Sequence, residues 1–98
     1  MRVTTSDPEM DIDQLADLFD ALGHGVRLMM IEILREKKSM TLADLRTEVS
    51  ARYEEITGGN ASFHVVSLQR GGLVKVHREG GRDVVTLARD VRAKISKV

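Results

Sequence analysis

Between residues 12 and 22 the apolar side chains fall at Ile12, Leu15, Leu18, Phe19 and Leu22, three and four apart, which is the spacing of one helical face. Gly23 and Gly25 stop that helix. From Val26 to Lys38 the apolar residues Leu28, Met30, Ile31, Ile33 and Leu34 spread over an arc too wide for a helix with one neighbour, so this segment is predicted to be the central core helix. Its basic end, Arg35, Lys37 and Lys38, suits a C-terminus electrostatically. Met40-Thr41 reads as a turn-like joint, with Thr41 or a neighbour capping a third helix that directs Leu42, Leu45 and Val49 inward. The pattern breaks over Ser50 to Thr57. A fourth helix, capped by Thr57, then runs to about Arg70 with Ala61, Val65 and Leu68 on one face, and Gly71-Gly72 ends it.

From Leu73 the period drops to two. Leu73, Val74 and Val76 precede Glu79-Gly80-Gly81-Arg82, and Val84, Val85 and Leu87 follow, so two alternating runs meet at a glycine pair suited to a tight hairpin. Val91, Ile95 and Val98 carry the spacing of a short amphipathic C-terminal helix. Residues 1–11 read as a polar, flexible leader and residues 12–98 as a single domain, without internal repeats or a long linker. The expected fold class is α+β, mainly α: about five helices and a two-stranded β-hairpin.

Composition narrows the function classes. A chain of 98 residues has room for one small domain, and 42% apolar with 31% charged residues fits a folded one. Cysteine is absent, which excludes disulfides, a thiolate nucleophile and thiolate metal sites, and fits a reducing cytoplasm. No apolar run approaches the roughly 18 to 20 residues of a bilayer span, so a membrane partner is not expected. The net charge of zero hides a strong polarity. Residues 1–58 hold seven Lys/Arg and twelve Asp/Glu, a net of −5, whereas residues 59–98 hold eight and three, a net of +5. The basic half carries Arg70, Lys75, Arg78, Arg82, Arg89, Arg92, Lys94 and Lys97, a candidate phosphate-facing surface.

A helix pair followed by a basic two-stranded hairpin is the layout of a winged helix-turn-helix. Leu18 to Leu34 (LFDALGHGVRLMMIEIL) resembles the opening signature of ArsR-type regulators. Asn60 to Val74 (NASFHVVSLQRGGLV) resembles their recognition helix and its exit, and Arg78-Glu79-Gly80-Gly81-Arg82 resembles their wing. The resemblance covers about residues 15–88. Two departures stand out. Ser50 to Thr57 is several residues longer than the usual turn, and Gly58, Gly59, Phe63 and Val66 occupy recognition-helix positions that are usually polar.

In such a helix the amides from Thr57 to Asn60 are free to hold a phosphate, and Gly58 and Gly59 permit close backbone approach. Asn60 can pair with adenine, Ser62 can reach a base edge or a phosphate, and Phe63 can pack on a thymine methyl. Ser67 and Arg70 extend the same candidate DNA surface. The plainer alternatives are a turn role for Asn60 and a core role for Phe63. Lys75, Arg78 and Arg82 surround the hairpin tip and are candidates for phosphate binding, against the plainer reading of a solvated turn. His64 stands where the resemblance places a histidine, in a helix-positioning or phosphate-contacting role. His24 and His77 lie far from it in sequence and no carboxylate-rich spacing accompanies them, so no metal site and no cofactor are expected. Met29, Met30 and Met40 read as pliable core filling. No nucleophile-base arrangement or phosphate-binding glycine loop is present, so catalysis is not expected.

A single winged helix offers a limited interface, and a two-fold dimer reads two half-sites. The resemblance implies that the two terminal helices form the dimer seam, here through Leu15, Leu18, Phe19, Leu22, Val91 and Ile95; the alternative is that they only cover the monomer core. The expectation is therefore a cytoplasmic homodimeric regulator, a repressor on inverted-repeat duplex DNA, with no effector identifiable. The rival is a winged-helix module that docks a protein partner through an apolar patch including Phe63 and Val66.

Overall fold

The computed structural model describes residues 2–5, 12–89 and 91–94. Strand β1 (Arg2–Thr5) comes first, then helices α1 (Ile12–Leu22) and α2 (Gly25–Lys37), strand β2 (Ser39–Thr41), and helices α3 (Leu42–Arg52) and α4 (Gly58–Arg70). Strands β3 (Val74–Glu79), β4 (Arg82–Leu87) and β5 (Val91–Lys94) complete the order. The first four of the five expected helices and the hairpin are present, and the fold is α+β, a winged helix-turn-helix.

Capping chemistry sets where three helices begin. The His24 ring accepts the Val26 amide through Nδ1 at 3.2 Å, Thr41 Oγ1 accepts the Asp44 amide at 3.1 Å, and Thr57 Oγ1 accepts the Asn60 amide at 3.1 Å. The wide apolar arc of α2 is used as expected: Val26, Met30, Ile31, Ile33 and Leu34 are buried, together with Leu45 and Val49 of α3 and Ala61, Val65 and Leu68 of α4. Met29 and Met40 pack on the edge of that core.

The Met40-Thr41 joint is a short strand. β2 pairs antiparallel with β4 (Met40 opposite Val85), and β4 pairs with β3 (Val76 opposite Val85), giving the order β2-β4-β3. Val85 is fully buried at the centre of this sheet. At the hairpin tip Gly80 and Gly81 have φ of 58° and 78°, so the turn connecting Glu79 to Arg82 needs residues tolerant of positive φ at both positions. The long α3–α4 connection is pinned. Ile56 is buried, its amide donates to Ser50 Oγ at 3.2 Å, and Arg46 Nε donates to its carbonyl at 3.0 Å.

Two terminal expectations are corrected. Val91–Lys94 is a strand rather than the start of a helix, and it pairs antiparallel with Arg2–Thr5, which was expected to belong to a flexible leader. Arg-Val-Thr-Thr and Val-Arg-Ala-Lys are compatible with extended pairing, and backbone hydrogen bonds from a segment nearly ninety residues away in sequence outweigh a three-residue helical hint. Ile95 and Val98 lie outside the described residues. Leu18 is wholly buried inside the monomer, so its expected place on a free dimer seam does not hold; Phe19 beside it is 48% exposed. The side chains of Leu15, Leu22 and Val91 also lie outside the described residues.

Candidate nucleic-acid interface

Helix α4 divides cleanly into two faces. Ala61, His64, Val65, Ser67 and Leu68 are buried, and Gly59, Asn60, Ser62, Phe63, Val66, Gln69 and Arg70 face solvent. Phe63 is 62% exposed and Val66 50%, which removes the core alternative for Phe63. The expectation of direct DNA contact is revised for His64 and Ser67, each only 8% exposed on the inward face.

At the start of α4, Thr57 Oγ1 takes the Asn60 amide and the Thr57 carbonyl takes the Ala61 amide at 2.9 Å. The Gly58 and Gly59 amides lie in the first turn and have no intrahelical acceptor, and no atom stands within 4 Å of the place a Gly58 side chain would take. Such an end, with the helix dipole behind it, suits a phosphate.

The hairpin supplies the second part of the surface. Arg78 NH1 donates to Asp83 Oδ1 at 3.2 Å and NH2 to the Gly81 carbonyl at 2.8 Å, which holds the guanidinium over the turn. This ion pair is exposed, so Coulomb attraction and screening nearly balance the cost of ordering it, and a phosphate can compete for the arginine. Lys75 and Arg82 are exposed on the same hairpin, and His77 pairs with Glu79 at 3.2 Å. The hairpin thus carries three Lys/Arg against two acids, a weaker positive field than its arginines alone suggest.

Sequence reasoning passed over Arg27. Although it sits on the buried side of α2, its Nε donates to His64 Nδ1 at 3.0 Å, its NH1 donates to the Asp20 carbonyl at 3.0 Å, and its guanidinium stands 5.7 Å from the Phe63 ring centroid. The available signal was a lone cation within the otherwise uncharged stretch Gly25 to Ile31.

A helix-turn-helix domain model matches residues 22–77, more than half of the chain. An uncharacterized HTH-type transcriptional regulator from Methanocaldococcus jannaschii is 31% identical over 68 residues, which cover 69% of this chain and 71% of that protein. The chain belongs to the helix-turn-helix family of transcriptional regulators. Within that family it is ArsR-like: a homodimeric winged helix-turn-helix DNA-binding domain from Mycobacterium bovis, a possible ArsR-family transcriptional regulator, superposes with a TM-score of 0.68. The two are 27% identical, with 83% of this chain and 74% of the other covered. A transcriptional repressor from Xylella fastidiosa shares the fold at 24% identity and a TM-score of 0.63, over 76% of this chain and 70% of that one.

One ion-pair cluster of the regulator lies away from this surface. Arg52 of α3 bridges Glu36 of α2 at 3.1 Å and Glu48 at 3.0 Å, and the Glu36 bond is the largest of the influences that raise its pKa above the ordinary value. Among the described residues, no group of three or more His, Asp or Glu side chains is arranged to hold a metal ion. No described helix is long and apolar enough to cross a membrane.

Proposed function

We propose that this regulator is a cytoplasmic repressor that binds inverted-repeat duplex DNA as a homodimer. Each α4 lies in a major groove, and each β3–β4 wing lies along the adjacent backbone. The observation that carries this reading is the outward face of α4. It exposes Gly59, Asn60, Ser62, Phe63, Val66 and Arg70, begins with two first-turn amides that have no intrahelical acceptor, and stands next to a hairpin bearing Lys75, Arg78 and Arg82. Thr57, Gly59, Asn60, Ser62, Phe63 and Arg70 are the proposed contacts of the helix, with Asn60 and Phe63 reading base edges. The dimeric assembly of the mycobacterial domain supports a second copy here. So does the outer surface of α1, where Ile12 and Phe19, seven residues apart and therefore on one helical face, are both exposed.

Fluorescence anisotropy with mixed-sequence duplex DNA tests this directly. A dimer that neutralises roughly 6 to 8 phosphates gives log K against log salt a slope of about −5 to −7. The exposure of Phe63 and Val66 favours a second reading, a module that docks an apolar protein surface. Failure to bind duplex at low salt would support that reading and remove the first.

A further inference from the structure

Among the described residues the buried polar or charged side chains are Arg27, His64 and Ser67, and two of them, Arg27 and His64, meet behind the recognition helix. Arg27 has no carboxylate within ion-pair distance among the described residues. A buried cation without an anion is costly unless its donors are used. Here they are used across three helices. One guanidinium nitrogen reaches the Asp20 carbonyl near the C-terminal end of α1, where the helix dipole is negative, and Nε reaches His64 on α4. The π face of Phe63 lies alongside at 5.7 Å. His24, the cap of α2, packs its ring against His64 at 4.4 Å between centroids, and His64 in turn meets the edge of Phe63 at 5.7 Å. Phe63, exposed on the proposed DNA face, is therefore braced from behind by this cluster.

We propose that Arg27 is the positioning residue of the recognition helix and that it works only on a neutral His64 imidazole, so specific DNA affinity falls when that ring takes a proton. The inference rests on the DNA-binding reading given above. The bond from Arg27 requires an unprotonated Nδ1, and the neutral ring carries its proton on Nε2. A second proton would have to sit on Nδ1, donor facing donor, in a site already holding the Arg27 cation and the His24 ring. The groups facing His64 are Arg27 from α2, His24 from its cap and Glu54 from the α3–α4 connection; Asp20 of α1 takes part through its backbone carbonyl. Burial first, then His24 and Arg27, hold the His64 pKa below the ordinary 6.5, and Glu54 opposes them. A histidine with a depressed folded pKa contributes stability that is complete above its unfolded value and is lost as pH falls through the folded one. Acid thus releases the α2–α4 brace and lets Phe63 and the helix axis shift.

The test uses the full chain, the tightest duplex selected from a random-sequence pool, and a mixed-sequence duplex, titrated from about pH 8 to about pH 5 at constant ionic strength. Wild-type affinity for the selected duplex should fall by up to about tenfold per pH unit below the His64 pKa, while mixed-sequence binding holds or rises. In His64→Asn the amide oxygen stands at the position of Nδ1, so it can still accept from Arg27 but cannot titrate. That variant should bind the selected duplex within about threefold of wild type at high pH and lose the acid response. Arg27→Lys should lower selected-site affinity about tenfold and leave mixed-sequence affinity unchanged. The proposal is overturned by a wild-type affinity that stays flat or rises in acid, which would suit a phosphate-contacting histidine. An acid response that survives in His64→Asn overturns it equally, and so does acid unfolding that the variant does not relieve. Absence of binding to any duplex at high pH would instead refute the DNA-binding reading.

Discussion

At Gly71, just past α4, an added Cβ would stand 2.9 Å from the Ala21 Cβ and 3.2 Å from the Asp17 carbonyl, so α1 and α4 meet without room for a methyl group. Its φ of −74° is ordinary, and the demand is one of space alone. Gly71→Ala should cost about 1 to 3 kcal/mol, seen as a lower urea midpoint at unchanged slope. Asn60 poses the opposite case, an exposed side chain whose backbone amide, not its carboxamide, is consumed by the helix cap. Asn60→Ala should reduce discrimination at one base pair by about 1 to 3 kcal/mol while leaving mixed-sequence affinity nearly intact, as competition binding against single-base variants would show. The Thr57 cap was legible from sequence because capping chemistry is local. Arg27 was not, because its acceptor His64 lies 37 residues away and only the packing of α2 on α4 brings them together.

Among the elements, α4 and the wing depend on different physics. Thr57 secures the first turn of α4, so Thr57→Ala should cost about 1 kcal/mol of stability, measured by thermal unfolding. The role proposed for the wing rests on charge. Arg82 is exposed and has no ion pair among the described residues, whereas Arg78 shares its charge with Asp83. Replacing Arg82 by Ala should therefore weaken binding to all sequences alike and make the salt slope shallower by about one unit per protomer. The hairpin itself was plain from Glu-Gly-Gly-Arg between alternating runs, since both central residues must take positive φ. The terminal strands were not. Four residues show too little periodicity to separate strand from helix, and β5 is defined by its partner at the other end of the chain.

For the molecule as a whole, the opposed charges of its two halves imply orientation: the basic half carries α4 and the wing, and the acidic half carries α1 to α3. An acidic surface is repelled by phosphates, so it favours approach through the other side. The exposed Ile12 and Phe19 lie on the acidic half, where a partner copy would be kept clear of DNA. Phe19→Glu should shift the light-scattering mass from twice that of the chain towards one chain, and weaken selected-site binding far more than mixed-sequence binding.

Local chemistry in the sequence determined most of this architecture: four helices from apolar spacing, two of their starts from Thr41 and Thr57, and the hairpin from its glycines. It also determined that the basic charge gathers around the last helix and the wing. Apolar spacing already marked Ala61, Val65 and Leu68 as the inward line of α4, and tertiary structure decided the margins of that face. It turned His64 and Ser67 inward, left Phe63 and Val66 exposed, and joined Arg27 to His64. Periodicity reports which residues can share a face, but the neighbours packed against a helix decide which face is buried. Pairing between distant segments, whether Arg27 with His64 or β1 with β5, comes into being only when the chain is folded.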